Sequence, residues 1–176
     1  MSVYKQCKLK DLNYDSLLLW NKDLLKSVNL EIKVITENDT NPVIENITKV
    51  NSINEEVTYK KTKCRNDQIY ILFYKNNTLI GHASYSEVVD FIHPTKNELE
   101  LESLYIEEEY RSKGIGSLLL KIFDKYFESV GINSIGGVVL SPRARVFYAK
   151  NGYTILPKGI DYTFIKEYYI FIKELR

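Results

Sequence analysis

Residues 110–117 read Tyr110-Arg111-Ser112-Lys113-Gly114-Ile115-Gly116-Ser117, and the fold turns on this stretch. Gly114 and Gly116 carry no Cβ, so the backbone can turn tightly there and present successive N–H groups to an anion. A helical pattern starts at the same point. Ile115, Leu118, Leu119, Ile122, Phe123, Tyr126, Phe127 and Val130 recur at helical spacing as far as Gly131. The start of that helix adds unpaired N–H donors and the positive end of its dipole, while Arg111 and Lys113 add cations. Together these features describe a phosphate or pyrophosphate site. Close packing of a helix on its strand is the other role two such glycines can have, and the residues alone leave both open. Two phosphate motifs are disfavoured. A dinucleotide fingerprint needs a third glycine where Leu119 stands, and a Walker loop needs Lys and Ser or Thr where Ser117 and Leu118 stand.

Upstream of the turn the pattern is that of strands. ELELESLYI (98–106) alternates charged and apolar residues, QIYILFY (68–74) is rich in β-branched and aromatic residues, and Asn76-Asn77 marks a turn into TLIGHASYSEVVDF (78–91). With a second turn at HPTKN (93–97), these form an antiparallel meander. Downstream, SIGGVVL (134–140) reads as a short buried strand. Ser141-Pro142 caps and opens a further helix that stops at Gly152, and YTIL (153–156) and YYIFIKEL (168–175) complete the sheet. Three weaker signals lie nearer the N-terminus: a strand at 3–9, a helix over 15–28 with Asp15 as N-cap, and a helix over 42–54 after Asn41-Pro42. The rest of 29–66 has no readable period. No linker interrupts the chain, so 1–176 is expected to be one α/β (α+β) domain.

Lys and Arg total 24 against 23 for Asp and Glu, a net charge of +1, which excludes a globally basic nucleic-acid binder. The average hides a segregation. Residues 98–109 hold six Glu and no base, whereas 110–121 and 141–152 hold Arg111, Lys113, Lys121, Arg143, Arg145 and Lys150 and no acid. Cys7 and Cys64 are too few for a disulfide framework. No apolar run is long enough to span a bilayer, and the first residues lack a signal peptide's hydrophobic core. A cytoplasmic protein with no membrane or nucleic-acid partner is expected. No metal-ligand cluster is evident, and His82 and His93 stand isolated, which suits structural roles.

The ordered motifs resemble the GNAT superfamily of acetyl-CoA-dependent N-acetyltransferases. That family's Arg/Gln-x-x-Gly-x-Gly/Ala signature is matched by Arg111, Gly114 and Gly116, and its preceding strand end by Leu104 and Ile106. A second motif is matched without a gap by Ala144, Tyr148 and Gly152-Tyr153, so the resemblance spans roughly 68–156. It implies a mixed, mostly antiparallel and partly splayed sheet with helices on both faces. It also implies acetyl-CoA as co-substrate and direct transfer in a ternary complex to a primary amine, either a small molecule or a peptide or protein. No metal is expected, because the sequence shows no metal-ligand cluster. A non-catalytic acyl-CoA sensor of the same fold is the alternative. The resemblance does not fix whether the protein is a monomer or a homodimer.

The residues it implicates follow. Backbone of Leu104, Tyr105 and Ile106 would hold the pantetheine arm, and the amides of Arg111, Ser112, Lys113, Gly114, Ile115, Gly116 and Ser117 the pyrophosphate. Ser141 stands where relatives often have a pantetheine-binding Asn, although helix capping explains a Ser there equally well. Tyr148 matches the usual general acid. Glu100 lies fourteen residues before Gly114, the separation of a catalytic glutamate in some histone-acetylating relatives, and Glu102 is close to it in character. Alternating Glu also suits an exposed strand face, and a water chain can strip the amine without either of them. The acceptor pocket would draw on about 15–56 and 157–167.

Overall fold

The computed structural model describes residues 8–36, 67–87, 97–161 and 166–175. Two-residue periodicity and β-branched content make the meander as expected. β2 (Gln68–Lys75) and β3 (Thr78–Ser86) pair antiparallel across Asn76-Asn77, both at positive φ, the geometry of a tight hairpin turn. β4 (Glu98–Ile106) pairs antiparallel with β3. At the other edge of β2 lies β1 (Leu30–Ile35), which sits in the stretch whose period was unreadable. Six residues are too few to show a pattern before their partner is known.

α1 (Tyr14–Ser27) precedes β1, and its N-cap is Asn13 rather than Asp15. The Asn13 side chain accepts a hydrogen bond from the Asp15 N–H at 3.0 Å, so Asp15 already lies inside the first turn. The strand expected at 3–9 does not form over its described part. Lys8 is extended, and Leu9 opens a 3-10 turn held by Glu87, whose carboxylate accepts from the Leu9 N–H at 2.7 Å and from Lys8 Nζ at 2.9 Å. Residues 3–7, the helix expected at 42–54, the end of the return strand at 88–91, most of the turn at 93–97, and both cysteines lie outside the described residues.

α2 (Ile115–Ser129) carries the expected apolar stripe, with Leu119, Phe123 and Phe127 essentially inaccessible to solvent. β5 (Ser134–Val139), α3 (Pro142–Lys150), β6 (Thr154–Asp161) and β7 (Lys166–Glu174) complete one seven-stranded sheet in the order β1-β2-β3-β4-β5-β7-β6. Of the stretch 157–167 expected to contribute to the acceptor pocket, residues 157–161 and 166–167 are strand. All neighbours run antiparallel except β4 and β5. The sheet is thus mixed and mostly antiparallel. Among the described residues, no helix is long and apolar enough to cross a membrane.

Two irregularities position the site. The β3–β4 register shifts between Ser84 and Tyr85, which leaves one extra residue, Glu102, in β4. Leu99 and Leu101 face the core before this bulge, and the even-numbered Leu104 and Ile106 take over that face after it. Second, β4 and β5 pair only at Glu98–Ser134, Leu99–Ile135 and Glu100–Gly136 before they part. Gly137 sits at the parting point. A Cβ there would lie 2.7 Å from the Leu101 carbonyl oxygen and run into the Phe171 ring. Gly137→Ala should therefore lower stability by about 1–3 kcal/mol, the usual cost of overpacking. An unchanged urea midpoint would refute the close contact.

Candidate functional site

Where β4 and β5 separate, a cleft of about 390 Å³ opens between the end of β4, the 110–117 turn and the start of α3. Of the residues expected in the site, Leu104, Ile106, Arg111, Ser112, Gly114, Gly116, Ser117, Ser141 and Tyr148 line it. Tyr110, Arg143, Ala144 and Phe147 line it too. Phe147 is missing from the motif reading, yet it lies one turn from Ala144 on the same helical face, which is the signal that could have found it.

The two glycines serve different ends. Gly114 is the N-cap of α2 at φ +80, the left-handed region, and the space around a Cβ there is open. Gly116 allows a close approach, since its Cβ would lie 3.1 Å from the Phe147 ring and 3.4 Å from Ile106. Close packing of the helix thus accounts for Gly116, while the left-handed turn accounts for Gly114. α1 and α3 each have a side-chain cap, Asn13 and Ser141, but α2 has none. Its first N–H groups are thus left without a side-chain acceptor beside the cleft.

The cations divide. Arg111 donates from Nε to the Ile106 carbonyl at 2.6 Å and lies over the Tyr105 ring, so it braces the turn. Arg143 reaches across the cleft mouth to the Ser112 hydroxyl at 3.3 Å, and Ser112 itself holds a positive φ. Lys113 is exposed over the Tyr110 ring. Arg145 turns away to lie 4.0 Å over Tyr169, and Lys150 borders a separate groove with Lys121. Ser141 accepts from the Ala144 N–H at 3.5 Å, which is the capping role, while it also borders the cleft.

Tyr148 forms part of the cleft wall and is otherwise buried. Its ring stacks on Phe171 at 3.8 Å and 5°, and meets Phe147 and Tyr153 edge-on. Burial pushes its pKa well above the ordinary tyrosine value, so the phenol stays protonated through the neutral range.

Several expected residues lie elsewhere. Ile115 is buried in the core, and Tyr105 turns to the opposite face, where it stacks on His82 at 5.8 Å. Glu100 and Glu102 precede the flip in β4 and share that opposite face, outside the cleft lining. Glu100 occupies the last β4–β5 pair, and exposed Glu102 accepts a hydrogen bond from Gln68 Nε2.

His82 is 3% exposed, and burial pulls its pKa down to about 4 from an ordinary 6.5. The folded state therefore keeps it neutral while the unfolded state gains a proton between those values. Its contribution is complete above about pH 6.5 and is lost as pH falls toward 4, at up to about 1.4 kcal/mol per pH unit. His82→Gln should flatten the loss of stability between pH 7 and pH 5 in urea titrations. An unaltered slope would sink this assignment.

Comparison with known proteins agrees with this geometry. No curated protein matches the chain. Among solved structures, the chain resembles the spermidine N-acetyltransferase of Vibrio cholerae in complex with CoA and spermine. The TM-score is 0.63 at 17% identity, over 84% of this chain and 96% of that one. The PaiA N-acetyltransferase of Thermoplasma acidophilum in complex with coenzyme A gives 0.58 at 23%, over 82% and 98%. A ribosomal-protein-alanine N-acetyltransferase from Escherichia coli gives 0.57 at 15%, over 83% and 94%. These likenesses are of fold. The sequence itself supplies the family, because the family model described as "Acetyltransferase (GNAT) family" matches residues 40–153. With its ordered motifs gathered around one cleft, the chain belongs to the GNAT acetyltransferase family.

Proposed function

We propose that this protein transfers an acetyl group from acetyl-CoA directly to a primary amine in a ternary complex. One observation carries the reading: a single cleft joins the edge of β4 that β5 has left, the uncapped start of α2, and the ring of Tyr148. A strand edge inside a sheet needs hydrogen-bond partners, and the amide-bearing pantetheine arm supplies them. The backbone of Leu104 takes that role best, because the Ile106 carbonyl already accepts from Arg111. N–H groups from Gly114 to Ser117 take the pyrophosphate, with Arg143 as the nearest cation at the mouth.

Bound acetyl-CoA supplies an activated thioester. The chain's own groups then meet three requirements. A backbone N–H near Leu104 stabilises the tetrahedral oxyanion, and the Tyr148 phenol donates its proton to the departing sulfur. A base removes the amine's proton from the opposite side of the sheet. Glu100 and Glu102 lie on that side beside the opening, and a water chain is an equal route. The acceptor is a small amine or a peptide or protein amine. The spermidine and ribosomal-protein enzymes differ in just this respect on a common fold.

Tyr148→Phe should lower kcat on the order of 10²-fold while calorimetric affinity for acetyl-CoA stays near wild type. Full activity across the pH range would remove Tyr148 from the mechanism. Gly116→Val should instead weaken acetyl-CoA binding by at least about tenfold, or 1.4 kcal/mol, because a branched side chain meets Phe147 and Ile106 at the cradle. A non-catalytic sensor would bind acetyl-CoA yet release no thiol with any amine in a broad panel.

A further inference from the structure

Asp124 lies on the buried side of α2, 6% exposed, on a helix face otherwise built from Leu120, Phe123 and Phe127. A carboxylate in such surroundings is costly unless both its oxygens are paired. Both are. Oδ1 accepts from the Tyr153 hydroxyl at 2.7 Å and Oδ2 from Lys173 Nζ at 2.8 Å, and Lys173 also donates to the Asn151 carbonyl at 3.0 Å. One carboxylate thereby ties together α2, the turn after α3, and β7.

Each tied element bears on Tyr148. Tyr153 meets the Tyr148 ring edge-on at 5.6 Å, and its N–H donates to the Tyr148 carbonyl at 3.1 Å. Phe171 lies two residues before Lys173 in β7, on the same face, and forms the parallel stack under Tyr148. Tyr153 and Phe171 also meet edge-on at 5.6 Å. No comparable polar anchor comes from β3, where the Tyr85 hydroxyl is buried without a hydrogen-bond partner. A phenol that must donate to a departing sulfur tolerates little misplacement, since an error near 1 Å can cost about 10²-fold in rate.

We propose that Asp124 is a positioning residue for Tyr148, acting through Tyr153 and through the Lys173 tether of β7. This rests on the reading of Tyr148 as general acid and concerns how that acid is held. Lys173 and Tyr153 share the one carboxylate, so loss of its charge loosens both supports at once.

Steady-state kinetics on wild type, Asp124→Asn, Tyr148→Phe and the double variant test it. Asp124→Asn should lower kcat by about tenfold with an acetyl-CoA KM near wild type, because the Gly114–Ser117 cradle is untouched. In the Tyr148→Phe background the same change should alter kcat by less than about twofold. Losses that multiply in the double variant would overturn the proposal, and so would a lowered melting temperature with unchanged kcat. If Asp124→Asn does not fold, Tyr153→Phe removes the hydroxyl alone, and the same non-additivity is expected. Ring-carbon NMR of tyrosine-labelled protein, with Tyr148 assigned by its absence in Tyr148→Phe, reads the positioning without activity. Tyr148 signals that move in Asp124→Asn support it even if Tyr148→Phe remains fully active, in which case only the acid assignment falls. Unmoved signals overturn it.

Discussion

A strand inside a sheet cannot leave its backbone polar groups unpaired without cost, and in this protein β4 loses its neighbour after Glu100. The rest of the molecule is arranged around that parting. Gly137 lets β5 turn away past the Leu101 carbonyl, and Phe171 fills the space beside it. The bulge at Glu102 then changes which side chains of β4 face the helices, so Leu104 and Ile106 line the cleft while the carboxylates stay behind the sheet. The glycine-rich turn closes the far end of the same opening. The cleft thus offers an open strand edge at one end and the first N–H groups of α2 at the other.

Much of this was legible in the sequence wherever a local rule applies. The meander from Gln68, the stripe from Ile115 to Phe127, the Ser141-Pro142 start of α3 and the glycine turn are short-range signals, and each has its expected structural counterpart. β1 was not legible, because six residues acquire meaning only beside β2. The N-cap of α1 was misplaced by two residues, since Asn13 and Asp15 are equally good caps on paper and only the backbone geometry distinguishes them.

The site divided along the same line. Backbone roles at Gly114 and Gly116 follow from the absence of a side chain, which a sequence states directly. Side-chain roles do not. Arg111, the signature cation, spends its Nε on the Ile106 carbonyl, whereas Arg143, thirty-two positions later, reaches the cleft mouth. Alternation alone would leave Glu100 and Glu102 on the face of Leu104 and Ile106, and it cannot foresee the bulge that separates them. The Asp124–Tyr153–Lys173 cluster joins residues 29 and 49 positions apart. No motif spacing reports such a contact.

The position of β7 between β5 and β6 also has a bearing on biosynthesis. During synthesis β5, α3 and β6 leave the ribosome before the strand that separates them. Until residues 166–174 follow, β5 and β6 expose edges that are interior in the finished sheet, and Tyr148 lacks the ring beneath it. The wall of the cleft at Tyr148 is therefore complete only once β7 is in place between β5 and β6.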